Sequence, residues 1–421
     1  GVAGLGAAWA LSADNSVTLI EASDRIGGHS RTLEVKTAEG VIPVDTGFIV
    51  YNERNYPHLT RLFAELAVPT ADSDMSLSVS MQDGSLEYAG RASAMFSRPG
   101  ALVDRRLWQV LRGINRFRHE VDELGAGSIP DDMTISDYIA SRGYPPAFSE
   151  LYLMPLAAAV WSGSRSDVSL MPAKTFMEFI NNHGLVDLKN RPTWRTVDGG
   201  SREYVERVAK EITSVQTGRR VVGVERSDEG VRVRDVSGNV EVFDQVVIGA
   251  HADAALAMLG DAATPAERSV LGSFGYQANE VVLHTDASVM PRSRRTWSSW
   301  NVMDKTNDDG QHPVAVTYWM NRLQNLTTQT DVFVTLNPEG RIAPQHILDT
   351  WQAMHPQFDV HTRKAQMEVP TIQGADRIWF AGAHLGHGFH EDGLQSGLTV
   401  AAALGSPVPW WSSVTPVSPS A

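Results

Sequence analysis

Gly1-Val2-Ala3-Gly4-Leu5-Gly6-Ala7-Ala8-Trp9-Ala10-Leu11 opens the stretch that decides the fold. Val17-Thr18-Leu19-Ile20-Glu21 and Arg25-Ile26-Gly27-Gly28-His29-Ser30-Arg31-Thr32 follow it. A glycine-spaced helix start, a β-rich run and an acid about 20 residues on form the pattern of a dinucleotide-binding unit. Gly1 lets the backbone approach a pyrophosphate, and Gly4 lets the helix pack closely on a sheet. The N–H groups of the helix start face phosphate oxygens. Glu21 is placed to accept hydrogen bonds from ribose hydroxyls. The pattern's first glycine would precede Gly1, so a further strand and glycine are expected upstream. Taken alone, the same glycines also suit a Gly/Ala-rich helix in an ordinary α/β domain.

The segment after Glu21 separates these alternatives. Gly27-Gly28, flanked by Arg25 and Arg31, adds backbone donors and two cations near the same pyrophosphate. A simple nicotinamide domain has no need of them. Here the chain resembles the flavin-containing amine oxidase and phytoene desaturase superfamily, whose second motif is Arg-x-Gly-Gly-Arg. His29 stands where the last arginine is usual. The resemblance implies FAD as cofactor, held by Gly1, Gly4, Glu21, Arg25, Gly27, Gly28 and His29. It also implies an α/β fold, with a Rossmann-like FAD-binding domain interleaved with a substrate domain of mixed sheet plus helices.

A second signal lies near the C-terminus. Arg377-Ile378-Trp379-Phe380-Ala381-Gly382 reads as a strand entering a turn, and residues 383–392 as a polar, glycine-rich loop. A helix is expected from Gly393, with Asp392 as its N-cap. Its partial positive charge would stabilise a reduced, anionic flavin. The resemblance places Gly382, Ala383, Asp392 and Gly393 at the cofactor, and the backbone of Val221 at its adenine. Ala383 stands where amine oxidases commonly carry glutamate. Their flavin-side lysine corresponds to Glu280, in Asn279-Glu280-Val281-Val282, and no lysine occurs between Lys210 and Lys305. Both departures weigh against an amine oxidase.

A narrower resemblance is carried by Val44-Asp45-Thr46-Gly47-Phe48-Ile49-Val50-Tyr51-Asn52, Asn181-Asn182-His183-Gly184-Leu185 and Gly386-His387-Gly388-Phe389-His390-Glu391-Asp392-Gly393. These are similar to bacterial predicted NAD/FAD-binding proteins found beside cyclopropane-fatty-acid synthases. That resemblance implies an oxidoreductase transferring hydride to or from an unsaturated or modified acyl chain. A flavin amine oxidase and a non-catalytic FAD-binding partner of a lipid-modifying enzyme are the alternatives.

His384, His387 and His390 recur every third residue, but the intervening glycines argue for a loop and against a metal-binding helix face. They are candidate catalytic donors or a proton relay lining the flavin pocket; loop polarity explains the same spacing. No metal is expected. The 421 residues contain no cysteine, which excludes disulfides, thiolate metal sites and a cysteinyl–flavin bond. A formal charge of -13 argues against a nucleic-acid partner. No apolar run is long enough to span a bilayer, so a cytoplasmic location is expected.

Hydrophobic patterning assigns residues 1–75, 196–270 and 366–405 to the FAD-binding domain. Residues 76–195 and 271–365 form the substrate domain, and the Pro/Ser-rich 406–421 reads as a loose tail. The helix from Asp104 to Glu120 sets Leu107, Leu111, Ile114 and Phe117 on one face and Arg105, Arg112 and Arg116 on another. Such a helix suits either a peripheral membrane surface or a solvated domain face. Trp161, Trp194, Trp297, Trp300 and Trp319 are candidates for the wall of an apolar pocket, or for core.

Overall fold

A computed structural model describes residues 1–81, 86–90, 92–95, 100–124, 129–184, 191–304 and 314–414. The opening glycines form the helix Val2–Leu11, buried along most of its length. The β-branched run after it forms Thr18–Ile20, which pairs in parallel with Ser214–Gln216. Val246–Ile248 pairs in parallel with Ile378–Phe380, so the sequence-distant ends of the chain build one cofactor half. A three-stranded antiparallel sheet, Val221–Ser227, Gly230–Asp235 and Val240–Phe243, packs beside it. The expected hairpin at 221–233 is therefore present, with a third strand added.

The other half is a seven-stranded mixed sheet among the described residues. Its two longest strands, Gly275–His284 and the edge strand Ile347–Gln357, are antiparallel. Leu77–Met81 pairs in parallel with Trp300–Asp304, joining early and late segments into that sheet. Helices between residues 105 and 182 cover one side. The architecture is α/β, with a Rossmann-like half interleaved with a mixed-sheet substrate half, as the resemblance implied.

Buried contacts anchor these segments to one another, and Gln324 ties the two halves together. Asp45 ends the strand Gly40–Asp45 and accepts from the Ser201 N–H at 2.9 and 3.0 Å, the Ser201 hydroxyl at 2.8 Å and Gln324 Nε2 at 3.0 Å. Burial raises its carboxyl to about 6, against those hydrogen bonds. The helix Val2–Leu11 crosses the helix His390–Ala403 so closely that a Cβ at Gly397 would lie 2.2 Å from the Ala3 carbonyl oxygen. A Cβ at Gly249 would likewise lie 2.7 Å from Gly4 Cα, whereas one at Gly4 would sit in ordinary contact at 3.8 Å.

Two expectations change here. Residues 406–414 are not a loose tail: Ser406, Val408 and Trp410 are buried, and Trp410 stacks on Trp9 with ring centroids 5.8 Å apart. Apolar contact outweighs the Pro/Ser composition there; residues 415–421 lie outside the described residues. The helix Arg105–Leu124 exposes Arg105, Arg112 and Arg116 as expected, but Leu107 and Phe117 are fully buried in the protein core. Its apolar face is thus already covered and cannot lie in lipid. No helix among the described residues is long and apolar enough to cross a membrane.

Candidate functional site

One cavity of about 1270 Å³ runs from the start of the first helix to the seven-stranded sheet. It exceeds the roughly 300–1,000 Å³ of ordinary small-molecule pockets. Gly1, Val2, Ala3, Glu21, Gly28 and Gly393 line one end. Gly28 has φ +59°, and a Cβ there would lie 2.8 Å from Gly1 Cα. Gly28 must be bare for the two backbones to meet at the cavity wall, whereas a Cβ at Gly1 would meet no protein atom within 4 Å. The N-terminal turn of the first helix therefore opens directly onto the space.

The flanking cations do not stand where the sequence suggested. Arg25 donates to the Gly28 carbonyl at 2.9 Å and the Ser30 carbonyl at 3.3 Å, bracing the glycine turn from behind. Arg31 pairs with Asp349 at 2.8 Å and donates to Thr46 at 3.1 Å. The turn's own carbonyls and a nearby carboxylate engage these guanidiniums, and neither arginine lines the cavity. Gly27 packs on Val205, and Val221 does not line the cavity; it packs in the core behind it. Glu21 does line it, its carboxylate also accepting from the Ser23 N–H at 2.9 Å.

The C-terminal helix begins at His390, three residues before Gly393. Phe389 occupies the cap position, and Asp392, in the first turn, accepts its backbone N–H at 2.8 Å. Asp392 is therefore not the N-cap. Its side chain reaches back across the first turn, and Phe389, His390 and Gly393 line the cavity. The preceding Ala383–Leu385 forms a short 3-10 turn instead of open loop. Glu391 accepts from His58 and Leu59 N–H groups at 2.7 and 3.0 Å, fixing this helix to Pro57–Glu65.

Seven histidines line the cavity among the described residues: His29, His183, His251, His355, His384, His387 and His390. The three expected from the sequence are all there, in three different settings. His390 stacks on Phe48 at 3.8 Å and shares a hydrogen bond of 2.6 Å with the Tyr204 hydroxyl. Tyr204 also bonds Ser30, which is 3.2 Å from His390. His384 packs edge-on against Phe274, and burial lowers it to about 3. Burial opposes charge on His387 as well, but Asp392, 3.7 Å away, outweighs it and raises that ring above its usual value. His29 sits 5.4 Å from His355 and 6.2 Å from His251, centroid to centroid. Burial, aided by those neighbours, lowers it well below the ordinary value. It is a neutral donor, not a substitute for arginine's charge.

No group of His, Asp or Glu among the described residues converges as metal ligands do. Glu280 is also displaced from its expected role. Val281, the next residue on the strand, lines the cavity, and Glu280 does not. Successive side chains alternate across a sheet, so only one of the two faces the space. Trp161, Trp194 and Trp300 join the wall, whereas Trp297 packs with Met290 and Phe333 in a separate cluster beside Trp319. His251, His355 and Tyr276 carried no motif and were missed. Tyr276 stacks on His251 at 4.5 Å.

These residues fit FAD. The bare glycine cradle and helix start suit a pyrophosphate, Glu21 suits a ribose, and the buried Nε2 atoms of His29 and His384 have no protein partner. Bound there, FAD supplies a hydride acceptor or donor.

The flavin containing amine oxidoreductase family matches residues 2–405. No curated protein matches the sequence. Among solved structures, the CLA-producing fatty acid isomerase from P. acnes superposes with a TM-score of 0.69 at 14% identity, covering 96% of each chain. Cyclohexylamine oxidase from Brevibacterium oxydans gives 0.67 at 16%, again over 96% of each. Putrescine oxidase bound to putrescine gives 0.67 at 15%, over 96% of this chain and 97% of that one. These likenesses show the fold, and the family match extends over nearly the whole chain. The chain belongs to the flavin-containing amine oxidoreductase family and is an FAD-dependent oxidoreductase.

Proposed function

We propose that this enzyme acts by hydride transfer on an unsaturated or otherwise modified acyl chain. The observation that carries the reading is the apolar far end of the cavity. Leu77, Met95, Leu111, Ile114, Leu156 and Leu336 line it, and no lysine does so among the described residues. Such a wall suits a long hydrocarbon and excludes water from the reacting carbons. Arg191, also on the wall, offers a cation to an anionic head group. The P. acnes neighbour acts on a fatty acid, by its name, within the same fold.

An amine substrate has less support. Val281 takes the wall position beside Glu280. Asp74, a wall carboxylate, is already engaged: burial raises its pKa, but Ser76, Ser299 and Arg322 hold it at about 2. The protein's own part is to hold the chain, orient it and present the buried histidines to it. The test is anaerobic mixing of FAD-loaded enzyme with long-chain unsaturated fatty acids and, separately, with alkyl amines. Bleaching of the flavin matched by a more unsaturated lipid, or isomerised lipid with no net redox change, by gas chromatography, is expected with the acyl panel alone. Bleaching and peroxide with amines, with every lipid unchanged, refutes the reading.

A further inference from the structure

We propose that the turn Ala101–Val103, with the basic face of the helix after it, docks this protein on an anionic lipid surface. Leu102 is 67% exposed, Val103 81% and Trp108 42%. The Trp108 indole donates to the Leu102 carbonyl at 2.8 Å, so the three side chains stand together at one corner of the molecule. Large apolar groups gathered this way at the surface mark an interaction site more often than singly scattered ones do.

The charge around them selects the partner. At about 100° per residue, Arg105, Arg112 and Arg116 fall within an arc of roughly 40°, and Trp108 lies roughly 60° to one side. All three arginines are exposed. From Ala101 to His119 the chain has five arginines and one acid, Asp104, in a protein of net charge -13. Asp104 pairs with Arg106 at 2.9 Å, and Arg116 shares its charge with Glu120 at 2.9 Å. A basic stripe beside an exposed Leu-Val-Trp corner matches anionic head groups above an apolar layer. Tryptophan also favours that boundary, having an apolar body and one donor.

The geometry differs from an amphipathic helix lying in lipid. This helix gives its apolar face to the protein, where Leu111 and Ile114 line the cavity. Only the preceding turn and Trp108 would enter the acyl layer. The cavity's apolar end then lies about one helix diameter, roughly 10 Å, behind the docked surface. The proposal concerns binding only and stands whether or not the substrate is an acyl chain.

The test is co-sedimentation of the FAD-loaded protein with phosphatidylcholine vesicles and with vesicles that also contain phosphatidylglycerol. Binding to the anionic vesicles is expected to be about tenfold tighter and to weaken as salt is raised. Val103→Asp and Arg112→Glu should each lower it about tenfold, with FAD content and melting temperature unchanged. Equal binding to both vesicle types, or wild-type binding by both variants, overturns the proposal. So does the absence of vesicle binding when the same patch drives self-association in sedimentation velocity.

Discussion

Gly397→Ala sets two known effects against each other. Alanine is the better helix former by about 0.8–1 kcal/mol, so propensity alone predicts stabilisation. The new Cβ, however, would lie 2.2 Å from the Ala3 carbonyl oxygen and 2.9 Å from the Ala7 nitrogen. Both are helix backbone and cannot rotate away, so the helices must part by about 1 Å to restore ordinary contact. Overpacking costs about 1–3 kcal/mol, and a backbone clash belongs at the upper end. The net loss is then about 2 kcal/mol, or a fall of roughly 2 °C in Tm for a cooperative chain of 421 residues. The helix that moves carries the Gly1–Ala3 wall of the cofactor end. FAD affinity should therefore fall about fivefold, the equivalent of about 1 kcal/mol in contacts to the helix start. Thr399→Ala is the control, because Thr399 is exposed on the same helix and tests propensity together with one exposed hydrogen bond, from its hydroxyl to the Gln395 carbonyl at 2.8 Å. Scanning calorimetry and FAD titration read the two variants. If Gly397→Ala raises Tm as the control does, with FAD binding intact, the close-crossing argument is wrong.

Four further outcomes are expected. Burial lowers His183 and His355 to about 4 and His384 and His390 to about 3, so all stay neutral in the folded protein. The unfolded chain binds protons first as pH falls below about 6.5, so stability should fall with pH between about 6.5 and 4; a Tm that is flat from pH 7 to 5 contradicts this. His387 has the opposite sign: raised by Asp392, its contribution is full below about 6.5 and fades as pH rises through its folded value, and the ring's NMR titration should shift down in Asp392→Asn. Tyr204→Phe removes the hydroxyl that bonds Ser30 and His390, and should cost about 1–3 kcal/mol in urea unfolding; an unchanged midpoint would show that the network is not coupled to the fold. Ile114→Trp fills part of the apolar end and should raise KM for long acyl substrates with FAD content unchanged; an unaltered KM places the substrate elsewhere.

Much of the cofactor half was legible because its signals are local. Gly1, Gly4, Gly27, Gly28 and Glu21 sit at fixed short spacings, and a helix start or positive-φ turn is encoded within a few residues. The placement of Arg25 and Arg31 was not legible. A guanidinium near a phosphate motif can donate to the phosphate or to the motif's own carbonyls, and the sequence around Arg25 is the same for both. The start of the last helix was misjudged by three residues, because Asp392 caps equally well from the first turn as from the cap position. Glu280 illustrates register: a shift of one residue exchanges the two faces of a strand. Its pairing with Gln352 fixes which neighbour meets the cavity.

The sequence by itself determined the ligand class, the interleaved α/β architecture and the histidine-bearing loop near residue 384. Those follow from glycine spacing and hydrophobic period, properties of contiguous chain. The tertiary structure alone decided that His29, His251 and His355 join that loop around one cavity, that Val281 and not Glu280 faces it, and that Leu111 and Ile114 close its apolar end. These depend on helix crossings and strand pairings between segments separated by tens to hundreds of residues. Local propensity sets which elements form, but packing the two halves together sets which side chains share a space.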